Sequence, residues 1–296
     1  MTAADLYGGV ETGGSWCVCA LGAGPDRIEA VEKFRTGGPR ETVAQIAGFF
    51  ARNGRPQAIG VAAFGPIELD PASQAWGTLG ATPKPGWSGW PLGPSLRAAL
   101  GLPLVVETDT AAAALGEWRW GAGQGCDSLC YLTVGTGIGA GLLIGGTAVH
   151  GLMHPEVGHL RVPRDRRRDP FAGACPFHGD CWEGLAAGPA IEQRWGASGD
   201  ELPDDHPAWA LEADYLALGI LSIVLVAAPD RVIAGGGVLQ RPGLLERVRV
   251  RLLELLAGYP PGPRIAGDPS YLMAPALGDE AGALGAIALV APATRT

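Results

Sequence analysis

Leu6-Tyr7-Gly8-Gly9-Val10-Glu11-Thr12-Gly13-Gly14-Ser15, with the apolar run Trp16 to Leu21 behind it, reads as a strand, a tight turn of small polar residues and a second strand. About 125 residues later the pattern returns. Leu129-Cys130-Tyr131-Leu132-Thr133-Val134-Gly135-Thr136-Gly137-Ile138-Gly139-Ala140-Gly141 runs into Leu142-Leu143-Ile144. Two such hairpins in one chain predict a duplicated architecture with one hairpin per lobe. A cleft between the lobes would carry a phosphate-sized turn on each wall.

The remaining pattern is α/β. Ala58 to Phe64 is a buried strand that stops at Gly65-Pro66, and Leu104-Val105-Val106-Glu107 is another. Helical patterns cover Ala111 to Trp118, Glu212 to Ala227, Gly243 to Leu256 and Asp279 to Val290. Arg231-Val232-Ile233-Ala234 is a strand entering Gly235-Gly236-Gly237. The tracts Thr82 to Pro94 and Gly258 to Pro269, rich in Pro and Gly, are expected to be loops. The expected lobes are residues 1–120 and 121–296, with a loop at 154–183 in the second and the helix 279–292 folding back on the first.

A chain of 296 residues can build two cores. The net charge of −8 disfavours nucleic acid and anionic membranes as partners, while a small anion such as ATP can still be held by backbone N–H groups. Lys33 and Lys84 are the only lysines and neither follows a glycine, which closes the Gly-Lys-Ser/Thr route to ATP. Met1-Thr2-Ala3-Ala4-Asp5 lacks a signal-peptide pattern. The longest apolar stretch, Leu216 to Ala228, is short of the roughly 20 residues that span a bilayer, so a buried helix and a cytoplasmic protein are expected.

Chemistry concentrates in a few places. In Glu11-Thr12-Gly13-Gly14-Ser15 the glycines let backbone N–H groups approach a phosphate, and Glu11 at the strand end can hold Mg²⁺ through water. Thr136 and Gly137 offer a hydroxyl and amides to a second phosphate. The alternative for both turns is an ordinary glycine hairpin. Asp109, after a strand and before a helix, can accept a proton from a sugar hydroxyl, or can cap the helix instead. His159 followed by Cys175-Pro176-Phe177-His178-Gly179-Asp180-Cys181 supplies two imidazoles and two thiolates, a closed tetrahedral set for structural Zn²⁺. Asp180 between these ligands is expected to face solvent. Glu156 would be placed by His159 to receive sugar hydroxyls. Gly235, Gly236, Gly237 and Val238 form a close-approach turn for adenosine or a plain turn into a helix, and Arg161, Arg164, Arg166, Arg167 and Arg168 read as a solvated loop.

These residues resemble a bacterial ROK-type sugar kinase, within the superfamily that includes actin, hexokinase and Hsp70. The fructokinase branch is matched by Gly9-Val10-Glu11-Thr12-Gly13-Gly14, Thr82-Pro83-Lys84-Pro85-Gly86-Trp87, Glu107-Thr108-Asp109, His154-Pro155-Glu156-Val157-Gly158-His159, and Cys175 through Cys181 into Glu183-Gly184-Leu185-Ala186-Ala187-Gly188-Pro189. The resemblance implies a two-lobed actin-like ATPase (ribonuclease H-like) fold, phosphorylation of fructose at O6 with ATP and Mg²⁺, Asp109 as base, and zinc on His159, Cys175, His178 and Cys181. It also implies that Thr136, Gly188, Pro189 and Gly235 to Val238 contact ATP, that Thr108, Glu156 and His159 border the sugar, and that the chain forms a homodimer. Two positions depart from the family pattern: Ser15-Trp16 stands where Thr-Lys is common, and Ala111 where an asparagine is expected. A glucose, mannose or N-acetylhexosamine kinase, a sugar-sensing repressor and a degenerate scaffold are the competing readings. The repressor is disfavoured by the acidic charge and by a first hairpin that begins by residue 8, ahead of which no helix-turn-helix fits.

Overall fold

The computed structural model describes residues 6–292; the N-terminal segment read above for a signal peptide lies outside them. Two compact units emerge. The first runs to Gly125, returns for Gly141–His154 and resumes at Ala276; the second comprises Cys126–Ala140 and Pro155–Pro275. The chain therefore passes between the units four times, at 125, 140, 154 and 275; a junction near 120 and the return of the last helix to the first lobe were expected. The sequence-local view misses the return of 141–154 because its partners are remote: His150 meets Glu107 and His154 meets Ile67, 43 and 87 residues earlier.

In the first unit, β1 (Tyr7–Thr12), β2 (Trp16–Gly24) and β3 (Arg27–Arg35) form an antiparallel meander. The helix α1 (Pro39–Asn53) then leads to β4 (Ile59–Ala63), α2 (Leu92–Leu100), β5 (Leu104–Thr108) and α3 (Asp109–Trp120). The sheet order is β3-β2-β1-β4-β5, with β1, β4 and β5 parallel. Parallel register aligns Thr12, Ala63 and Thr108, so the carboxyl ends of three strands open on the same edge, where α/β ligand sites lie. Alternation decides the faces. Ile59 and Val61 of β4 join Ile46, Phe49, Leu96 and the fully buried Trp87 on one side. Gly60 and Ala62 point to the other, where Ala62, Ala112 and Ala286 form a small-residue contact.

That contact admits the last helix. Gly60 lies so close to it that an added Cβ would sit 1.8 Å from the Ala286 carbonyl oxygen. Backbone cannot yield like a side-chain tip, so Gly60→Val is expected to lower unfolding free energy by about 3 kcal/mol or more in urea titrations. Gly14→Ala, where an added Cβ meets nothing within 4 Å, should stay within about 0.5 kcal/mol of wild type.

The second half contributes β6 (Ser128–Val134), β7 (Ile138–Ile144), β8 (Thr147–Ala148), α4 (Trp182–Ala186), α5 (Gly188–Trp195), α6 (Ala208–Ala227), β9 (Arg231–Gly235), α7 (Leu244–Leu256), α8 (Gly262–Gly267), β10 (Leu272–Met273) and α9 (Ala281–Val290). The second sheet has the order β10-β9-β6-β7-β8. The helix α9 packs on the first sheet through Ala283 and Ile287 against Tyr7, Val18 and Ala20. Its entry is fixed by Glu117 of α3, a fully buried carboxylate that accepts the Ala122, Ala276 and Leu277 N–H groups at 2.7, 3.2 and 2.8 Å.

Two expectations change. The tract 258–269 is not all loop, since residues 262–267 turn into α8. The apolar stretch read as about 13 residues belongs to a 20-residue helix, α6, with a mean hydropathy of 1.9. By length and composition alone α6 could cross a bilayer; half of its most apolar window is buried inside the protein, and it carries Glu212 and Asp214.

Candidate active site and Cys/His cluster

Asp109 is the first residue of α3. The capping role belongs to its neighbour: the Thr108 hydroxyl accepts the Ala111 N–H at 3.2 Å. Thr108 is buried, with its oxygen also 3.5 Å from that of Thr110, so its hydroxyl holds the helix start. Asp109 Oδ1 accepts the Thr110 N–H at 2.8 Å, which leaves its other oxygen for a substrate proton. Burial pushes the Asp109 carboxyl up to about 6, against the pull of that N–H. Glu11, on β1, is pushed up to about 7 by burial and by the facing charges of Asp109 and Asp279, with Lys33 opposing. Two neighbouring carboxyls raised toward neutral pH are chemically suited to exchanging protons there.

Sequence reading gave Glu107 no role. Its carboxylate accepts the Thr108 N–H at 2.7 Å and lies 2.7 Å from His150 Nε2, so it braces the turn that presents Asp109. The pairing spans 43 residues, and nothing local signals it. Gly13, Gly14 and Ser15 form the tip of the β1–β2 turn, closed by Gly13 N–H donating to Trp16 O at 2.8 Å; Gly14 and Ser15 are exposed.

In the second unit, β6 and β9 are parallel with Thr133 opposite Gly235, so Gly135 and Gly237 leave the sheet side by side. The Gly188 N–H, at the start of α5, donates to Gly135 O at 2.8 Å. The Gly135–Gly137 turn, Gly188-Pro189 and the turn through Gly235 to Val238 are therefore brought to one place, although widely spaced in sequence. Gly236 takes φ +94°, and a 3-10 turn over Gly237–Gln240 follows it. Glu183, quoted only as part of a motif, donates nothing and accepts: its Oε2 takes the Ile138 N–H at 3.0 Å.

His159, Cys175, His178 and Cys181 converge, with their ligand atoms all within 4.8 Å of one another. Sγ of Cys175 is 3.9 Å from His159 Nδ1 and 3.8 Å from His178 Nδ1, and Cys181 Sγ is 3.6 Å from His159 Nδ1. Tetrahedral bonds of about 2.3 Å to sulfur and 2.0–2.1 Å to nitrogen require an S···N spacing near 3.6 Å, so the four side chains fit a zinc ion. The two thiols are buried, and Cys175 and Gly179 pair their backbones into a tight knuckle at 3.1 and 2.9 Å. Glu156 begins the 3-10 turn that carries His159, and Gly158 within it rests on the Ile138 carbonyl, 2.1 Å from where a Cβ would stand. His150 and His154 take no part: the first pairs with Glu107 and the second accepts the Ile67 N–H at 3.2 Å.

Asp180 does not face solvent. Burial works to raise its carboxyl, but Arg166, Arg161 and Arg164 overcome this and hold it below the usual range. The Arg166 and Arg164 contacts are 2.6 and 3.2 Å, and Arg161 is paired as well. Nor is the arginine run uniformly solvated. Arg164 is only 7% exposed and donates to the carbonyls of Asp169 and Phe171 at 2.7 and 2.5 Å, whereas Arg167 is 94% exposed. Arg164 braces the knuckle, its buried guanidinium taking acceptors from Asp180 and from the Asp169 and Phe171 carbonyls.

Comparison with known proteins agrees with this arrangement. The ROK family profile matches residues 7–293. The fructokinase of Zymomonas mobilis is 39% identical over 295 residues, covering 96% of each chain. The ROK hexokinase of Thermus thermophilus superposes with a TM-score of 0.77 at 29% identity, covering 96% of this chain and 97% of that one. A ROK family glucokinase from Streptomyces griseus, solved with glucose and AMPPNP, gives 0.76 at 28% identity over 96% and 98%. With a family profile matched across nearly its whole length, two sheets of this topology, an aspartate at a strand end and a Cys/His knuckle, this chain belongs to the ROK family.

Proposed function

We propose that this protein transfers the γ-phosphoryl group of ATP to a hexose, with D-fructose giving fructose 6-phosphate as the favoured reaction. The observation that carries the reading is Asp109, a carboxylate at a strand end whose burial keeps it near the pH at which a base is most effective. The sugar hydroxyl attacks the γ-phosphorus. Its proton passes to Asp109, a new O–P bond forms, and the bond to the β,γ-bridging oxygen breaks with its electron pair leaving on ADP. Fructose is preferred over glucose because the Zymomonas mobilis fructokinase is 39% identical, against 28% for the Streptomyces griseus glucokinase.

Roles for the other residues follow the chemistry of their positions. Glu11 would hold Mg²⁺ through water, which on binding neutralises charge on the phosphates. Thr136, Gly137, Gly188, Pro189 and the Gly235–Val238 turn would receive the nucleotide through backbone N–H groups. Glu156 and His159 would border the sugar, and His159 with Cys175, His178 and Cys181 would hold a structural Zn²⁺. We place the protein in the cytoplasm, where ATP is available, and propose a homodimer.

The test is ADP release over a panel of fructose, glucose, mannose and N-acetylglucosamine. Fructose should give the highest kcat/KM, by tenfold or more, since a site that hydrogen-bonds one set of hydroxyls leaves polar groups unpaired with another. A higher value for glucose would move the protein to the glucokinase reading. Turnover independent of any sugar would end the proposal.

A further inference from the structure

The Gly13–Trp16 turn has no cation of its own, yet a triphosphate tail needs one. Three positive side chains lie around it. Two are engaged by Trp16: the Arg35 guanidinium stands 4.0 Å and the Lys33 ammonium 5.4 Å from the ring centroid. The third is Lys84, which reaches from 70 residues away to the tip of the turn. Its Nζ donates to the Gly14 carbonyl and, at 3.3 Å, to the Thr36 carbonyl. Thr36 is itself part of the turn, since its N–H donates to Ser15 O at 3.0 Å and its hydroxyl to Gly13 O at 2.8 Å.

Both Lys84 acceptors are neutral, and among the described residues no carboxylate forms an ion pair with it. An ammonium has three donors, so one remains for another acceptor. The space beside Gly14 is open. Nor does Lys84 hang on a loose loop: Trp87, three residues on, is fully buried against Phe64 and donates its Nε1–H to Gly37 O at 3.1 Å. The cation is thus held on the turn by main-chain carbonyls and lacks a counter-ion.

We propose that Lys84 receives the terminal phosphate of ATP at the Gly13–Ser15 turn, supplying the positive charge that the turn itself lacks. The inference rests on the phosphotransferase reading above. Partial burial already lowers the pKa of Lys84, and an anionic partner would restore the charged form.

The test uses Lys84→Gln, which keeps hydrogen-bond donors but removes the charge, and Lys84→Arg, which keeps the charge. Lys84→Gln should raise KM for MgATP and lower kcat, each by about tenfold, weaken AMPPNP binding measured without sugar, and leave KM for fructose within about twofold. Lys84→Arg should hold KM for MgATP within about threefold of wild type, and the double variant Trp16→Lys/Lys84→Gln should recover most of the loss. Trp16→Lys alone should tighten AMPPNP by less than about threefold, because the site already has its cation; tightening by tenfold or more would overturn the proposal even if Lys84→Gln does not fold. A rise in KM for fructose alone would make Lys84 a sugar contact, and unchanged constants with a lowered Tm would make it a structural tie. A wild-type enzyme that shows no sugar-dependent ADP release would instead refute the phosphotransferase reading.

Discussion

Asp109→Asn is expected to lower kcat for sugar-dependent ADP release by about a thousandfold or more while the protein stays folded. Asparagine can still accept the Thr110 N–H that fixes the side chain at 2.8 Å, so geometry is preserved and only proton affinity is lost. In wild type, kcat/KM should fall about tenfold per pH unit below the region from about 6 to about 7, where the Asp109 and Glu11 carboxyls titrate. Stability carries the opposite sign. A carboxyl whose folded value is raised to about 6 favours the folded state while protonated, and that contribution is lost as pH rises from about 4 through 6. Asp109→Asn does not titrate, so it should be more stable than wild type by about 3 kcal/mol at pH 8 and no more stable at pH 4. An Asn variant with turnover near wild type would remove Asp109 as the base.

Removal of the Cys/His ligand set is the second large effect. Cys181→Ser should reduce zinc from one ion per chain to near zero by elemental analysis, and lower Tm by roughly 10 °C or more. The reason is that two buried thiols and His159 leave a cluster of unpaired groups when the ion is lost, and the knuckle they close is short. The same change should act beyond stability. Gly158, next to His159, bears on the Ile138 carbonyl, and Glu183, two residues past Cys181, accepts the Ile138 N–H. Both flanks of the cluster therefore grip the turn that carries Thr136 and Gly137. Full zinc retention with unchanged Tm in Cys181→Ser would show that the cluster does not bind metal.

What the sequence announced was local. Glycine hairpins, the aspartate between strand and helix, and the Cys/His spacing each fit within a few dozen residues, and the structure places all of them in the expected elements. What it hid was contact between distant segments. Glu107 with His150, Glu117 with Leu277 and Lys84 with Gly14 are separated by 43, 160 and 70 residues. Glu107 and Lys84 sit in stretches that match the fructokinase branch, yet no stretch shows these pairings, because a single carboxylate or ammonium finds its partner only after the sheet has formed. Asp180 misled for a related reason: a charged residue between ligands reads as solvated until folded arginines close on it.

The most direct test of the central claim is the identity of the product. Incubation with ATP, Mg²⁺ and D-fructose, followed by ³¹P nuclear magnetic resonance, should show one fructose 6-phosphate formed for each ADP, with neither signal growing when fructose is omitted. ADP that accumulates with inorganic phosphate and no sugar phosphate would contradict it.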